Sequence, residues 1–217
     1  MGKILSQKQI HSFRQKILKW FGHNKRSYPW RNTRNPFRVL IAEMMLQRTK
    51  ADQVENVYRK FFSEFKTPDD VASARMTALK RILYPLGLKW RIRKFKDVSV
   101  ILVKEFRKRV PETREDIIKL PGVGDYVAGM VLSLAYGKKE WIVDSNVVRI
   151  SSRYFGIKTS KEGRRDRYII EMAKNYVSKG NPRNNNLALL DFGALTCTPR
   201  NPRCQKCILS KTCHYKI

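Results

Sequence analysis

Four cysteines lie near the C-terminal end of the sequence, and their pattern C-x6-C-x2-C-x5-C comprises Cys197, Cys204, Cys207 and Cys213. A segment this short cannot bury a hydrophobic core of its own, so a metal centre or cross-links should hold it. Four unevenly spaced thiolates suit the corners of a [4Fe–4S] cluster, whereas structural zinc more often uses two close pairs. Disulfides are disfavoured because the N-terminus lacks the apolar core of a signal peptide. The spacing favours a cluster and leaves zinc and disulfides open.

A second pattern with chemical meaning is the uncharged turn LPGVG at residues 120–124. Glycines at 122 and 124 permit a tight turn whose backbone N–H groups face outward, at the start of the following helix. Exposed amides at a helix N-terminus bind phosphate without any side-chain charge. We therefore predict a helix–hairpin–helix that binds phosphate through Gly122, Val123 and Gly124. An ordinary turn between two helices is the alternative.

The charge balance indicates a polyanionic partner. Lys and Arg number 46 and Asp and Glu 18, which gives a formal net charge of +28. Lys and Arg side chains placed on phosphates release counterions, so this excess favours nucleic acid; a generally Lys-rich, solvated surface is the alternative. No apolar run approaches the roughly 18 residues of a membrane span. We expect an intracellular protein of the cytoplasm and nucleoid that contacts no membrane.

The elements that must position these residues are predicted to be helices. Apolar residues recur at helical spacing, as in Ile10, Phe13, Ile17 and Phe21, and no segment alternates as a strand would. The sequence predicts an all-α protein. Its helices are expected over residues 7–21, 37–46, 54–65, 77–86, 90–106, 114–120, 126–136, 145–155, 162–177 and 185–197.

Three motifs together resemble one family. LPGVG, the block VDSNVVR at residues 143–149 and the cysteine pattern are similar to the endonuclease III superfamily of helix–hairpin–helix DNA glycosylases. The block YPWRNTRNPFRVLIAEMMLQRT resembles one shared by MutY-type adenine glycosylases and archaeal Mig-type thymine mismatch glycosylases. The resemblance implies a six-helix barrel over residues 26–138, and a second helical domain from residues 1–25 and 139–217 that carries a [4Fe–4S] cluster. It also implies a monomer that binds double-stranded DNA and flips a mismatched or damaged base into a pocket.

The resemblance assigns the chemistry to two carboxylates. Asp144 would stabilise the sugar cation or activate water, and Glu43 would act as the acid at the leaving base. From the residues alone, Asp144 is also a plain N-cap, worth about 1 kcal/mol. Glu43 could instead form an ion pair with Arg26 or Arg31. Asn146 would orient Asp144 or the water.

Tyr126 is the first large side chain after the turn. Bifunctional members of the family carry a lysine here, which attacks C1′ as an amine. A phenol cannot form that imine, so the resemblance implies a monofunctional enzyme that releases the base with water.

Other side chains are assigned to the DNA by the same resemblance. Arg48 and Leu88 would fill the gap left by the flipped base, beside Gln47; alternatively Arg48 contacts a phosphate and Leu88 belongs to the core. Arg91 is expected to be solvated or to contact the DNA backbone, and Arg149 to be a structural ion-pair partner. The predicted base pocket comprises Trp30, Arg26, Leu46 and Leu187, although Trp30 could equally belong to the core.

The target base is the least constrained expectation. MutY-type enzymes carry a further C-terminal domain, which does not follow Cys213 here, and usually have glutamine where this chain has Leu187, as Mig-type sequences do. Both differences favour thymine or uracil opposite guanine. Adenine opposite guanine or 8-oxoguanine, another damaged base, and a non-catalytic iron–sulfur DNA-binding module are the alternatives.

Overall fold

The computed structural model describes residues 5–87, 89–159 and 162–216. Within these ranges the chain is helical and contains no β-strand, which confirms the predicted all-α class. The helices are α1 Gln7–Asn24, α2 Pro36–Leu46, α3 Ala51–Glu64, α4 Pro68–Ser73, α5 Met76–Leu83, α6 Ile92–Glu105, α7 Arg114–Ile117, α8 Asp125–Leu134, α9 Ser145–Phe155, α10 Arg167–Val177 and α11 Pro182–Leu195. None of the helices in these ranges is long and apolar enough to cross a membrane.

Sequence reasoning missed α4, and local chemistry explains why this short helix forms. Thr67 accepts a hydrogen bond from the backbone of Asp70, whose side chain accepts from the backbone of Thr67 in return. Pro68 occupies the first helical position, where the absence of an N–H costs nothing. This capping box is a signal that the sequence displays openly, although six residues are too few to show a period.

The chain divides into two compact units. The hairpin unit is Ser27–Tyr136, and the cysteine unit combines Met1–Arg26 with Gly137–Ile217. In the hairpin unit α2 packs against α3 and α8, and α4 packs against α6. In the cysteine unit α1 packs against α10 and α11, which also contact α9. The N-terminal segment of the cysteine unit is thus joined to its C-terminal segment by the packing of α1 on α10 and α11.

Aromatic side chains fill the core of each unit. In the cysteine unit Phe13 is buried against Phe155 and Tyr176, with ring centroids 5.0 and 5.6 Å away. In the hairpin unit Trp30 stacks on Tyr28 at 4.8 Å and meets the edge of Tyr58 at 5.4 Å. Such rings each bury a large apolar area, so they set the position of the helices that carry them.

Candidate functional site

Asp144 caps α9 with one carboxylate oxygen and is oriented through the other. Oδ1 accepts the backbone N–H of Val147 at 2.8 Å, and Oδ2 accepts Nδ2 of Asn146 at 2.7 Å. The first contact is the N-cap that the sequence predicted. The second fixes the plane of the carboxylate, which a cap alone does not require.

The hydrogen bonds continue from Asn146 into the cysteine segment. Arg149, one turn further along α9, donates Nη2 to Oδ1 of Asn146 at 2.6 Å and to the carbonyl of Gly193 at 2.8 Å. Its Nε donates to the carbonyl of Cys197 at 2.7 Å. A Cβ on Gly193 would lie 2.6 Å from Cβ of Asn146, so only glycine lets α11 approach this closely. We call the chain from Asp144 through Asn146 and Arg149 to Cys197 the Asp144 relay.

Burial raises the pKa of Asp144 above its ordinary value. The hydrogen bonds from Val147 and Asn146, together with the charge of Arg149, oppose that rise without cancelling it. Burial thus favours the neutral form of Asp144, and the surrounding donors favour the ionised form. Such a group is suited to stabilise a developing cation or to accept a proton from water.

Glu43 lies in the hairpin unit, in the most completely buried stretch of α2. Its exposure is 1%, and it is flanked by the buried side chains of Ala42 and Met44. The resemblance assigns this buried carboxyl group to the leaving base, and that role stays a prediction.

The hairpin contains the tight glycine turn that the sequence predicted. Gly122 adopts φ +81°, a value that favours glycine, and its carbonyl accepts Nε2 of Gln47 at 2.8 Å. Val123 is buried, and its N–H donates to the carbonyl of Leu120 at 3.1 Å, so the prediction that this amide faces outward to bind phosphate was wrong. Gly124 is the N-cap of α8 and supplies no side-chain cap to its first turn. The start of α8 is thus left open to an anion.

Tyr126 lies in that first turn of α8 and is partly exposed. The neighbouring Asp125 pairs with Arg114, which also donates to the Asp125 carbonyl at 2.8 Å. This pair ties α7 to α8 across the hairpin.

The loop between α2 and α3 displays Arg48. Arg48 is exposed and has φ +58°, in the left-handed region. Arg91, expected to be solvated, is instead buried at 3% exposure and donates to the carbonyl of Gln47 and the hydroxyl of Thr49. The prediction for Arg91 was therefore wrong, because basic residues that satisfy carbonyls inside a loop look the same in sequence as solvated ones. Leu88 lies outside the described residues.

The four residues predicted to form a base pocket have different surroundings. Trp30 is buried among aromatic rings, and Leu46, at the end of α2, is partly exposed. In the cysteine unit Leu187 is buried in α11, and Arg26 pairs with the buried Asp191 at 2.6 Å. In this structure Trp30 is therefore part of an aromatic core, and Arg26 is an ion-pair partner of Asp191.

The four cysteines converge on one small cavity of about 30 Å³, lined otherwise mainly by apolar and aromatic side chains. N–H groups approach two of the sulfur atoms: the backbone of Leu209 donates to Cys207 at 3.4 Å, and Arg153 donates to Cys197 at 3.7 Å. Among the described residues no group of three or more His, Cys, Asp or Glu is already arranged to hold a metal ion. The cysteines thus share one cavity without forming a ready coordination sphere.

The most informative residues that sequence reasoning underestimated are Arg149 and Gly193. Arg149 was expected to be an ion-pair partner, and its donors go to Asn146 and to three carbonyls, those of Ser145, Gly193 and Cys197. The i, i+3 spacing of Asn146 and Arg149 was a usable signal. Nothing local singles out Gly193, whose partner is 47 positions earlier in the chain.

The two features described above are a glycine turn before α8 and an aspartate held at the start of α9. Both lie in motifs that carry the resemblance to helix–hairpin–helix DNA glycosylases. Residues 41–171 match the model for the HhH-GPD superfamily base excision DNA repair protein, and the chain belongs to that superfamily. The resemblance drawn from the motifs is thereby confirmed.

Individual members of the superfamily are similar to most of this chain. A thymine/uracil-DNA glycosylase of Methanothermobacter thermautotrophicus is 36% identical over 211 residues, which are 97% of this chain and 96% of the relative. A solved structure of a thermostable thymine-DNA glycosylase superposes with a TM-score of 0.89 at 36% identity, covering 96% of this chain and 97% of that one. An adenine DNA glycosylase of Buchnera aphidicola is 32% identical over 206 residues, 93% of this chain but 57% of the relative.

Proposed function

We propose that this protein is a monofunctional DNA glycosylase of base excision repair that hydrolyses the N-glycosidic bond of thymine or uracil opposite guanine. The oriented Asp144 carboxylate carries the proposal, because a pure N-cap needs neither Asn146 nor the Asp144 relay. The full-length similarity to a thymine/uracil-DNA glycosylase supports this choice of base.

The chemistry divides between the two carboxylates. Asp144 stabilises the oxocarbenium-like sugar or accepts a proton from the attacking water, and Asn146 holds the carboxylate in plane. Glu43, buried in α2, donates a proton or a hydrogen bond to the leaving base. The first-turn amides of α8 hold a DNA phosphate. Tyr126 has no amine, so the product is an intact abasic strand.

A panel of labelled duplexes tests the proposal under single-turnover conditions. G·T and G·U should be the fastest substrates, with G·A, 8-oxoguanine·A, hypoxanthine and thymine glycol slower or inert. Alkali should be needed to break the product strand. Binding to every duplex without release of any base would instead favour the non-catalytic module.

Adenine is the second candidate, and a specific similarity favours it. Adenine DNA glycosylases match nearly the whole chain, although the chain spans little more than half of the Buchnera relative. The fastest release of adenine opposite guanine or 8-oxoguanine would establish this function and exclude the first.

We also propose that the cysteine segment holds a [4Fe–4S] cluster. Four thiols facing one cavity, an apolar lining and N–H donors at sulfur suit iron–sulfur ligation. When bound, the cluster would replace the missing hydrophobic core of the segment, and the chain's own residues carry the base chemistry.

Anaerobic purification tests the cluster. The protein should be yellow-brown, with broad absorption at about 400 nm from charge transfer between thiolate and iron. Replacing Cys204 with serine should remove the colour and the bound iron. Colourless, active protein that contains one zinc ion per chain would overturn the cluster in favour of zinc.

A further inference from the structure

The loop that displays Arg48 is strained and firmly held. Arg48 has φ +58°, although arginine has a Cβ that disfavours the left-handed region. Non-glycine residues persist there only when their surroundings over-determine the backbone, and they concentrate at functional sites. The side chain of Arg48 is exposed, so its own packing does not explain the strain.

Arg91 provides the restraint. Its guanidinium donates to the Gln47 carbonyl just before Arg48 and to Oγ1 of Thr49 just after it, the latter at 2.7 Å. A third donor reaches the carbonyl of Leu86 at 3.0 Å. A planar fork can bridge three acceptors in this way, and a lysine ammonium has no such fixed geometry.

The loop is also attached to the hairpin. The side chain of Gln47 donates to the carbonyl of Gly122, in the turn proposed to bind phosphate. The backbone of Arg48 is therefore restrained on both sides, and its exposed side chain extends from a loop that is bonded to the proposed phosphate-binding turn of the same unit. A mere phosphate contact would not need a strained and doubly restrained backbone, because many conformations of an arginine can reach a phosphate.

We propose that Arg48 recognises the guanine opposite the released base, and that Arg91 is the positioning residue that holds Arg48 in place for it. This inference rests on the proposed release of thymine or uracil opposite guanine. The parallel N–H donors of arginine match O6 and N7 of guanine. Adenine presents an amino group where guanine has O6, so the same donors meet a donor instead.

Uracil excision from four duplexes tests the role of Arg48, with guanine, hypoxanthine, adenine or 2-aminopurine opposite uracil. Guanine and hypoxanthine carry O6, and the other two do not. Arg48→Met keeps an unbranched, flexible stem and removes the guanidinium donors. It should slow excision opposite guanine and hypoxanthine by roughly tenfold or more, and change excision opposite adenine and 2-aminopurine little. Comparing variant with wild type on each duplex removes differences in pairing strength.

Arg91→Lys tests the positioning role. The quantity measured is the kcat/KM for uracil opposite guanine divided by that for uracil opposite adenine. Arg91→Lys should lower this guanine-to-adenine ratio by a factor similar to that of Arg48→Met, although Arg48 itself is intact. The double variant Arg48→Met/Arg91→Lys should lose no more than either alone, since both act through one contact. Arg93→Lys is the matched control, because Arg93 is exposed and pairs only weakly with Asp97 at 3.7 Å, and it should leave the ratio unchanged. Thermal unfolding of each variant shows that the fold persists.

Different results of these experiments would contradict the role of Arg48, the role of Arg91 and the proposed function. A wild-type enzyme that excises uracil opposite guanine while Arg48→Met weakens all four duplexes equally would reduce Arg48 to a phosphate contact. Additive losses in the double variant would overturn the positioning role of Arg91. A wild type that excises no uracil from any duplex would overturn the proposed function itself.

Discussion

At the scale of single residues, Asp144 serves two needs with two oxygen atoms. One oxygen caps α9 and the other is held by Asn146. An asparagine at position 144 could still accept the N–H of Val147, but it could not carry the negative charge. The substitution therefore keeps the cap and removes both the negative charge and the hydrogen bond from Asn146.

Asp144→Asn should slow base release by about two to four orders of magnitude and leave duplex affinity nearly unchanged. Single-turnover rates and a binding titration measure the two quantities. Asp166→Asn makes the same atomic change at the N-cap of α10 and should not affect base release. Near-normal turnover in Asp144→Asn would remove Asp144 from the reaction.

Asp144→Asn should also stabilise the protein at neutral pH. Burial raises the folded-state pKa of Asp144, so the folded state binds this proton more tightly than the unfolded state does. The contribution of Asp144 to stability is thus greatest at pH below its unfolded pKa and is lost as the pH rises through the folded pKa. At neutral pH asparagine removes the cost of the buried charge, and the melting temperature should rise. The gain should shrink as the pH falls below the folded pKa and vanish below the unfolded pKa.

The raised pKa of Asp144 also determines where the rate of base release falls on the acidic side of its pH profile. Base release needs ionised Asp144, so its rate should fall as the pH drops through the raised pKa, above the ordinary value of about 3.9. A pH profile of the single-turnover rate measures this fall. A rate that stays constant down to the ordinary value would contradict a buried catalytic aspartate.

Tyr126→Lys should convert some of the product into nicked strands. A lysine in the first turn of α8 lies at the positive end of the helix dipole, which favours the neutral, nucleophilic amine. Borohydride should then trap a covalent complex with DNA, whereas the wild-type enzyme should yield none. Trapping by the wild type, or none by a folded variant that still binds DNA, would show that Tyr126 does not occupy the amine position.

At the scale of elements, α9 connects Asp144 to the cysteine segment. Arg149 and Arg153 both project from it to carbonyls of that segment, but only Arg149 also bonds Asn146. The two arginines therefore form a matched pair for testing the Asp144 relay.

Arg149→Leu should lower the rate of base release by roughly tenfold or more, because Asn146 loses the donor that orients it and Asp144 loses its fixed plane. Arg153→Leu removes a similar cation and similar carbonyl contacts, and should affect mainly stability. Single-turnover rates measured where both variants remain folded distinguish the two effects. Equal rates for both variants would reduce Arg149 to a loop anchor.

At the scale of the whole molecule, the dominant feature is a formal net charge of +28, which favours binding to a polyanion. Non-specific affinity for duplex DNA should therefore fall steeply between low and physiological salt, as for a protein that neutralises roughly five or more phosphates. Binding titrations at several salt concentrations give the slope. A flat response would mean that the excess charge is only solvated surface.

The sequence by itself determined the features that depend on near neighbours. The all-α class follows from apolar spacing, the turn at Gly122 from the freedom of glycine, and the cap at Asp144 from its place before α9. Each involves residues within a few positions of one another, so type and spacing were sufficient.

Only the tertiary structure decided which distant groups meet. Arg149 reaches Gly193 across 44 positions, and Arg91 reaches Thr49 across 42. In sequence a buried arginine that satisfies carbonyls is identical to one in water, because the difference lies in the acceptors that the fold brings to it. The Asp144 relay and the restraint on Arg48 therefore belong to the fold and could not be predicted from composition or spacing.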